Sequence, residues 1–256
     1  MTSAQLISWV VSAITFGTVI MFGCIGETIN QKAGNLNLGV PGIMQLGGIG
    51  ALTGAFIYES STATPNGTIG MICALLCAIL ASALGSLIYS FLTVTLKANQ
   101  NVTGLTLTIF GTGIANFFGG SLMKLSGGVG SISVATTANV FKLRLPFISG
   151  KLGLFGSLFL NYGWMAYFCL VLAFVANYFL TKTRTGLNLR AVGENPATAD
   201  AAGINVTKYK YLASIIGGAI CGLGGLFYVM DYIQGTWAND NTIEALGWLA
   251  VALVIF

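Results

Sequence analysis

Charge is missing from most of this chain, and the lengths of the gaps decide what it can fold into. No Asp, Glu, Lys or Arg lies between Glu59 and Lys97, Lys97 and Lys124, Lys151 and Lys182, or Lys210 and Asp231. Each gap holds the roughly 20 apolar residues a membrane-spanning helix requires. In hydrocarbon such a segment must be helical to satisfy its own backbone groups. Only 7% of the 256 residues are charged and 55% are hydrophobic, whereas a soluble domain is about a quarter charged. The expected fold is all-α: a polytopic helical membrane bundle forming one transmembrane domain over residues 1–256.

The predicted spans are 8–26, 43–58, 68–96, 104–123, 154–181 and 211–230. A seventh begins near Leu246 and is cut off at Phe256, which predicts at least six full spans plus a truncated one. The first is a retained span, since it lacks the basic flank and cleavage site of a secretory signal. Residues 26–42, GETINQKAGNLNLGVPG, form a polar, glycine-rich break after it. The segment from Lys182 to Lys210 carries five of the eleven basic residues, so the positive-inside rule places it in the cytoplasm. Counting back puts Lys97 and Lys32 inside and the N-terminus outside. Lys124, Lys142, Arg144 and Lys151 fall on the outer side and run against that rule.

The chain contains no His, which removes the commonest general base and metal ligand. There is no Gly-Lys-Ser/Thr phosphate loop and no cluster of carboxylates, so neither catalytic residues nor a metal site is expected. The five cysteines lie in apolar windows and read as packing residues. No basic stripe interleaved with aromatics suggests nucleic acid. Gly50 and Gly54, and Gly218 and Gly222, are small-residue faces for close helix packing.

Within the charged segment, ENPATADAAGIN specifies a short helix at both ends. Asn195 caps it, Pro196 suits its first position, and Gly203 supplies the left-handed residue beyond Ala202. Ala197, Ala199, Ala201 and Ala202 make it narrow, and Glu194 and Asp200 charge it. A connector of this length with a doubly capped helix is shaped to dock a soluble partner. Asn195-Pro196-Ala197 also spells an aquaporin-type tripeptide, but its charged neighbours do not suit mid-membrane.

These residues carry a family resemblance. GLNLRAVGENPATADAAGINVTKYK, the following LASIIGGAICGLGGLFYV and the early AGNLNLGVPGIMQLGGIGAL resemble permease subunits of bacterial ABC importers. The family is that of the branched-chain amino acid and simple sugar permeases, on its sugar or nucleoside side. The resemblance implies a protein of the bacterial cytoplasmic membrane that carries no ATP of its own. A cytoplasmic ATPase would receive the coupling residues Gly193, Glu194, Asn195, Pro196, Ala197, Asp200, Ala201 and Gly203. A second permease, identical or related, and an extracellular binding protein or lipoprotein would complete the system, embedded in membrane lipid.

Two polar sets are candidates for the solute pathway. Thr108, Thr112 and Asn116 recur at i, i+4 and i+8 on one helix face, where they either meet a hydroxylated solute or tie helices together. Asn35, Asn37 and Gln45 lie in or beside the break, which either lines a cavity or is a cytoplasmic turn. No span centre shows a clear charge, and Glu27 and Asp231 fall near span ends. That pattern favours energy from a docked partner over an internal ion relay. An ion-coupled carrier or a solute channel is the alternative.

Overall fold

The computed structural model describes residues 3–125, 132–142, 161–237 and 241–256. The apolar gaps become helices: α1 (Ser3–Lys32), α2 (Val40–Ser61), α3 (Gly67–Ser90) and α4 (Gln100–Leu125). A two-residue strand β1 (Ile132–Ser133) and α5 (Ala135–Phe141) follow. After these come α6 (Trp164–Lys182), α7 (Arg184–Glu194), α8 (Pro196–Ala201), α9 (Val206–Phe227), β2 (Thr236–Trp237) and α10 (Thr242–Ile255). α3 and α9 each end in a π-helical turn, at Phe91–Thr95 and Tyr228–Tyr232. Six of these helices are long and apolar enough to cross a membrane, and α10 is shorter. The predicted start of the fifth span, with Arg144 and Lys151, lies outside the described residues.

α2 and α9 are the core pair. Their apolar windows are 78% and 72% buried, against 22% for α6 and 28% for α3. Glycine makes the approach possible: an added methyl on Gly47 would overlap the Gly222 backbone, and one on Gly225 would overlap Met44. Close backbone approach through small residues is the usual way helices associate in lipid. The two predicted small-residue faces act within the bundle. Gly50 and Gly54 pack on Cys77 and Cys73 of α3, and Gly218 and Gly222 on Ser86 and Ser82. Ser82, Ser86 and Ser90, one helical turn apart, are fully buried, and each donates its hydroxyl to the carbonyl four residues back.

The two ends of the bundle differ in charge. Gly34 packs on Gly193, Asn35 Nδ2 reaches the Lys210 carbonyl, and Thr95 Oγ1 pairs with Tyr211 OH. These contacts gather Lys32, Lys97, Lys182, Arg184, Arg190, Lys208 and Lys210 at one end, the end that the positive-inside rule expects in the cytoplasm. At the other end Glu59 accepts the Thr137 N–H at 2.7 Å, and β1 pairs antiparallel with β2.

Helix limits differ from the sequence expectation where polar residues turn inward. α1 runs to Lys32 rather than stopping at Gly26, so Glu27 lies inside a helix and is 1% exposed. The expected connector of Lys182–Lys210 contains two helices rather than one. α7 was missed because its mixed charge reads as loop, yet its Leu189 and Val192 are buried.

Candidate functional site

The cytoplasmic surface is built by three consecutive caps. Thr183 Oγ1 accepts the Gly186 N–H at 3.0 Å and starts α7 straight after α6. Asn195 Oδ1 accepts the Thr198 N–H at 3.1 Å and starts α8, with Pro196 at its first position. Asn205 Oδ1 accepts the Lys208 N–H at 2.9 Å and starts α9. α8 closes as the residue types require: Gly203 adopts φ +82°, and the Ile204 N–H returns to the Ala199 carbonyl at 3.0 Å. The helix ends at Ala201, one residue short of expectation. Ala199 alone of residues 194–203 is buried, at 3%. Glu194, Asn195, Pro196, Ala197, Asp200, Ala201 and Gly203 are exposed, while Gly193 is half-buried at the seam with Gly34. The Asn-Pro-Ala tripeptide is thus at the cytoplasmic surface.

Beneath this surface lies the break, Ala33–Gly39, and most of its backbone N–H groups and several carbonyls are paired. The Leu36 N–H donates to Gln100 Oε1 at 2.9 Å, and Asn37 N–H to Glu27 Oε1 at 2.9 Å. Tyr89 OH donates to the Leu36 carbonyl and Thr108 Oγ1 to the Leu38 carbonyl, at 2.8 and 3.0 Å. Asn30 Nδ2 holds Glu27 Oε2, while Ser214 Oγ joins Asn30 Oδ1 to Asn35 Nδ2. The segment rises from the surface at Gly34 to Gly39, which packs on Leu107 and the Gly104 carbonyl of α4. α2 therefore begins within the bundle, opposite residues one to two turns into α4 and roughly 6–10 Å from its start. Backbone that is broken at such depth persists only when protein satisfies it.

Asn35 and Asn37 are accordingly bound into this scaffold and buried. Gln45 is buried on α2, and Gln45 Oε1 and Asn35 Oδ1 have no donor among the described residues. Of the α4 stripe, Thr108 is spent on the Leu38 carbonyl. Thr112 Oγ1 reaches the Thr108 carbonyl at 2.9 Å and Glu244 Oε2 at 3.3 Å. Asn116 is half-buried one turn further on, and added methyls at Gly113 and Gly120 would meet nothing within 4 Å. The stripe thus runs from buried Thr108 past the Glu244 carboxylate to half-buried Asn116, next to the open positions Gly113 and Gly120.

Glu27 and Glu244 are the residues that sequence reading missed. Glu27 sits five residues before the end of α1, and Glu244 lies in the first turn of α10. Both lie near helix ends, as the expectation of no charge at a span centre allows, but their side chains turn inward to bond Asn37, Asn30 and Thr112. The available signal was Glu-x-x-Asn at 27 and 30, a spacing that puts both side chains on one helix face. Glu27→Ala would strand the buried Asn37 N–H and the Asn30 amide. The expected cost is about 3 kcal/mol, read as a lower melting temperature of the purified protein. Glu27→Gln keeps an acceptor and should lose clearly less.

Comparison with known proteins fits this geometry. The family model for the branched-chain amino acid transport system permease component matches residues 9–256. The chain belongs to this family. Among its relatives is a Haloferax volcanii protein provisionally named glucose ABC transporter permease protein TsgC13. It is 34% identical over 251 residues, 96% of this chain and 69% of that one. The nucleoside ABC transporter permease protein NupC of Lactococcus lactis is 29% identical, covering 96% of this chain and 74% of its own. The guanosine ABC transporter permease protein NupQ of Bacillus subtilis is 28% identical, covering 100% and 77%. No solved structure matches the chain. As a member of this family with six candidate spans, the permease is a multi-pass protein of the cytoplasmic membrane.

Proposed function

We propose that this permease is the membrane subunit of an ATP-driven importer for a nucleoside or simple sugar. It forms the pathway with a second permease, identical or related, and receives its solute from an extracellular binding protein or lipoprotein. ATP is held by a cytoplasmic ATPase, and residues 1–256 act as one transmembrane domain. The observation that carries this reading is the exposed, doubly capped α8 at the cation-rich end, seated on the break through Gly193 and Gly34. The names of the sugar and nucleoside relatives support the solute class.

Motion of the ATPase enters at Glu194–Gly203. Gly193 bears on Gly34 so closely that neither tolerates a side chain without displacement. From Gly34 the Ala33–Gly39 segment leads to the start of α2, and Leu38 is tied to Thr108 on the polar face of α4. A shift at α8 thereby reaches Thr112 and Asn116, which meet the solute's hydroxyl groups. The open apolar face of α4, with Gly113 and Gly120 beside the exposed Ile109 and Phe117, is where the second permease closes the pathway.

Thr112→Val combined with Asn116→Leu removes two neutral hydrogen-bonding groups from that face. At about 1 kcal/mol for each lost hydrogen bond, KM for uptake should rise roughly tenfold or more. The test is uptake of labelled nucleoside or sugar by cells carrying the assembled system. An unchanged KM takes α4 out of the pathway.

A further inference from the structure

The cytoplasmic end holds a cleft, apart from the docking surface and the polar core, whose chemistry changes along its length. It lies between α1 and α6, with a volume of about 440 Å³. Met21, Cys24 and Ile25 of α1 and Ala173, Ala176 and Leu180 of α6 wall it. Lys32, which ends α1, and Arg190 of α7 line it as well. From Met21 to Lys32 α1 rises about 16 Å, close to half of the roughly 30 Å hydrocarbon core. The mainly apolar walls, interrupted by Thr28, Asn177 and Thr181, therefore lie at acyl-chain depth and the two cations at headgroup depth.

The cations have nothing to neutralise them. No carboxylate lines the cleft, and neither Lys32 nor Arg190 has an ion-pair partner among the described residues. Arg190 is half-buried, and a guanidinium withdrawn from water calls for an anion. Glu194 is exposed at the far end of α7, and both Glu27 oxygens are spent on Asn37 and Asn30. A further helix seated here would bury both cations without supplying an anion.

We propose that this cleft binds an anionic phospholipid of the inner leaflet, with one acyl chain between α1 and α6 and the phosphate on Lys32 and Arg190. Basic pockets between helices on the cytoplasmic side recognise lipid headgroups in this manner. The site depends on this end being cytoplasmic and not on the importer reading. Arg190 lies one turn before Gly193, so the bound lipid also steadies the helix that leads into α8.

Native mass spectrometry of the purified full chain, titrated with dioleoyl phosphatidylglycerol or dioleoyl phosphatidylcholine, tests the site. The wild type should retain one phosphatidylglycerol in preference to phosphatidylcholine. The K32Q/R190Q variant should bind phosphatidylglycerol about 30-fold more weakly, the weight of two interfacial cations. K97Q, at the same end but outside the cleft, should bind as the wild type does. A173F, which fills the wall and keeps both cations, should lose the adduct while its melting temperature in phosphatidylcholine stays near wild type. Equal retention of the two lipids by the wild type overturns the proposal. So does an equal loss in K97Q, which would mean diffuse surface charge. Glycerol phosphate binding as tightly as phosphatidylglycerol would mean an anion site without an acyl chain, and overturns it too.

Discussion

Lysine in place of both Glu194 and Asp200 is expected to lower uptake about 100-fold while the bundle stays folded. Both side chains are exposed, beside and on α8, so the change removes no internal contact. Among the described residues their carboxylates are the acidic groups exposed at an end where the other charged side chains are Lys and Arg. A partner that seats α8 must therefore present groups complementary to them. Two reversals place like charges together across that seam. At about 3 kcal/mol of lost association in all, the assembled fraction falls by that factor. The measurement is ATP-dependent uptake with expression and melting temperature matched. Wild-type uptake with unchanged ATPase association removes the loop from the mechanism.

The second large effect is on the fold. Gly222→Val should abolish accumulation of folded protein. A methyl at Gly222 already meets Ser82 Cβ and Oγ, and the Gly222 backbone is where Gly47 of α2 crosses. A branched side chain would push α9 away from α3 and so disturb the packing of the buried core, and overpacking of this kind costs about 3 kcal/mol or more. That is a large share of the 5–15 kcal/mol by which folded domains are typically stable. Gly120→Val adds the same bulk on the open face of α4 and should leave melting unchanged. Size-exclusion profiles and melting temperatures of the two variants decide it. A Gly222→Val protein that melts like wild type would show that the α3–α9 contact is looser than described.

The parts of this architecture legible in sequence are those set by local rules. Charge-free gaps become spans because hydrocarbon forbids both unpaired backbone and unpaired charge. The 195–203 segment becomes a capped helix because Asn195, Pro196 and Gly203 each satisfy a backbone requirement within a few residues. Legibility fails where polar side chains are satisfied by distant partners. Glu27, Asn30 and Asn37 read as a loop because their hydrogen bonds close with one another and with Ser214, a residue from the far side of the sequence. α7 reads as a connector because the packing that buries Leu189 and Val192 is tertiary. Glu244 looked like a charge outside the last span, and only the fold sets it against Thr112. Of the polar break, sequence left open a cavity lining or a turn. The geometry makes Asn35 and Asn37 part of a hydrogen-bonded scaffold that begins α2 inside the bundle.

The central claim is that α8 hands the work of a separate ATPase to this bundle. Mild-detergent purification of the tagged chain from its native membrane, followed by mass spectrometry, tests it most directly. The expected result is a stoichiometric nucleotide-binding ATPase, together with a second permease, retained by the wild type and lost on exchange of Glu194 and Asp200 for Lys. Recovery of the chain alone or as a homo-oligomer, under conditions that keep other membrane complexes intact, would contradict it and reduce α8 to a connector.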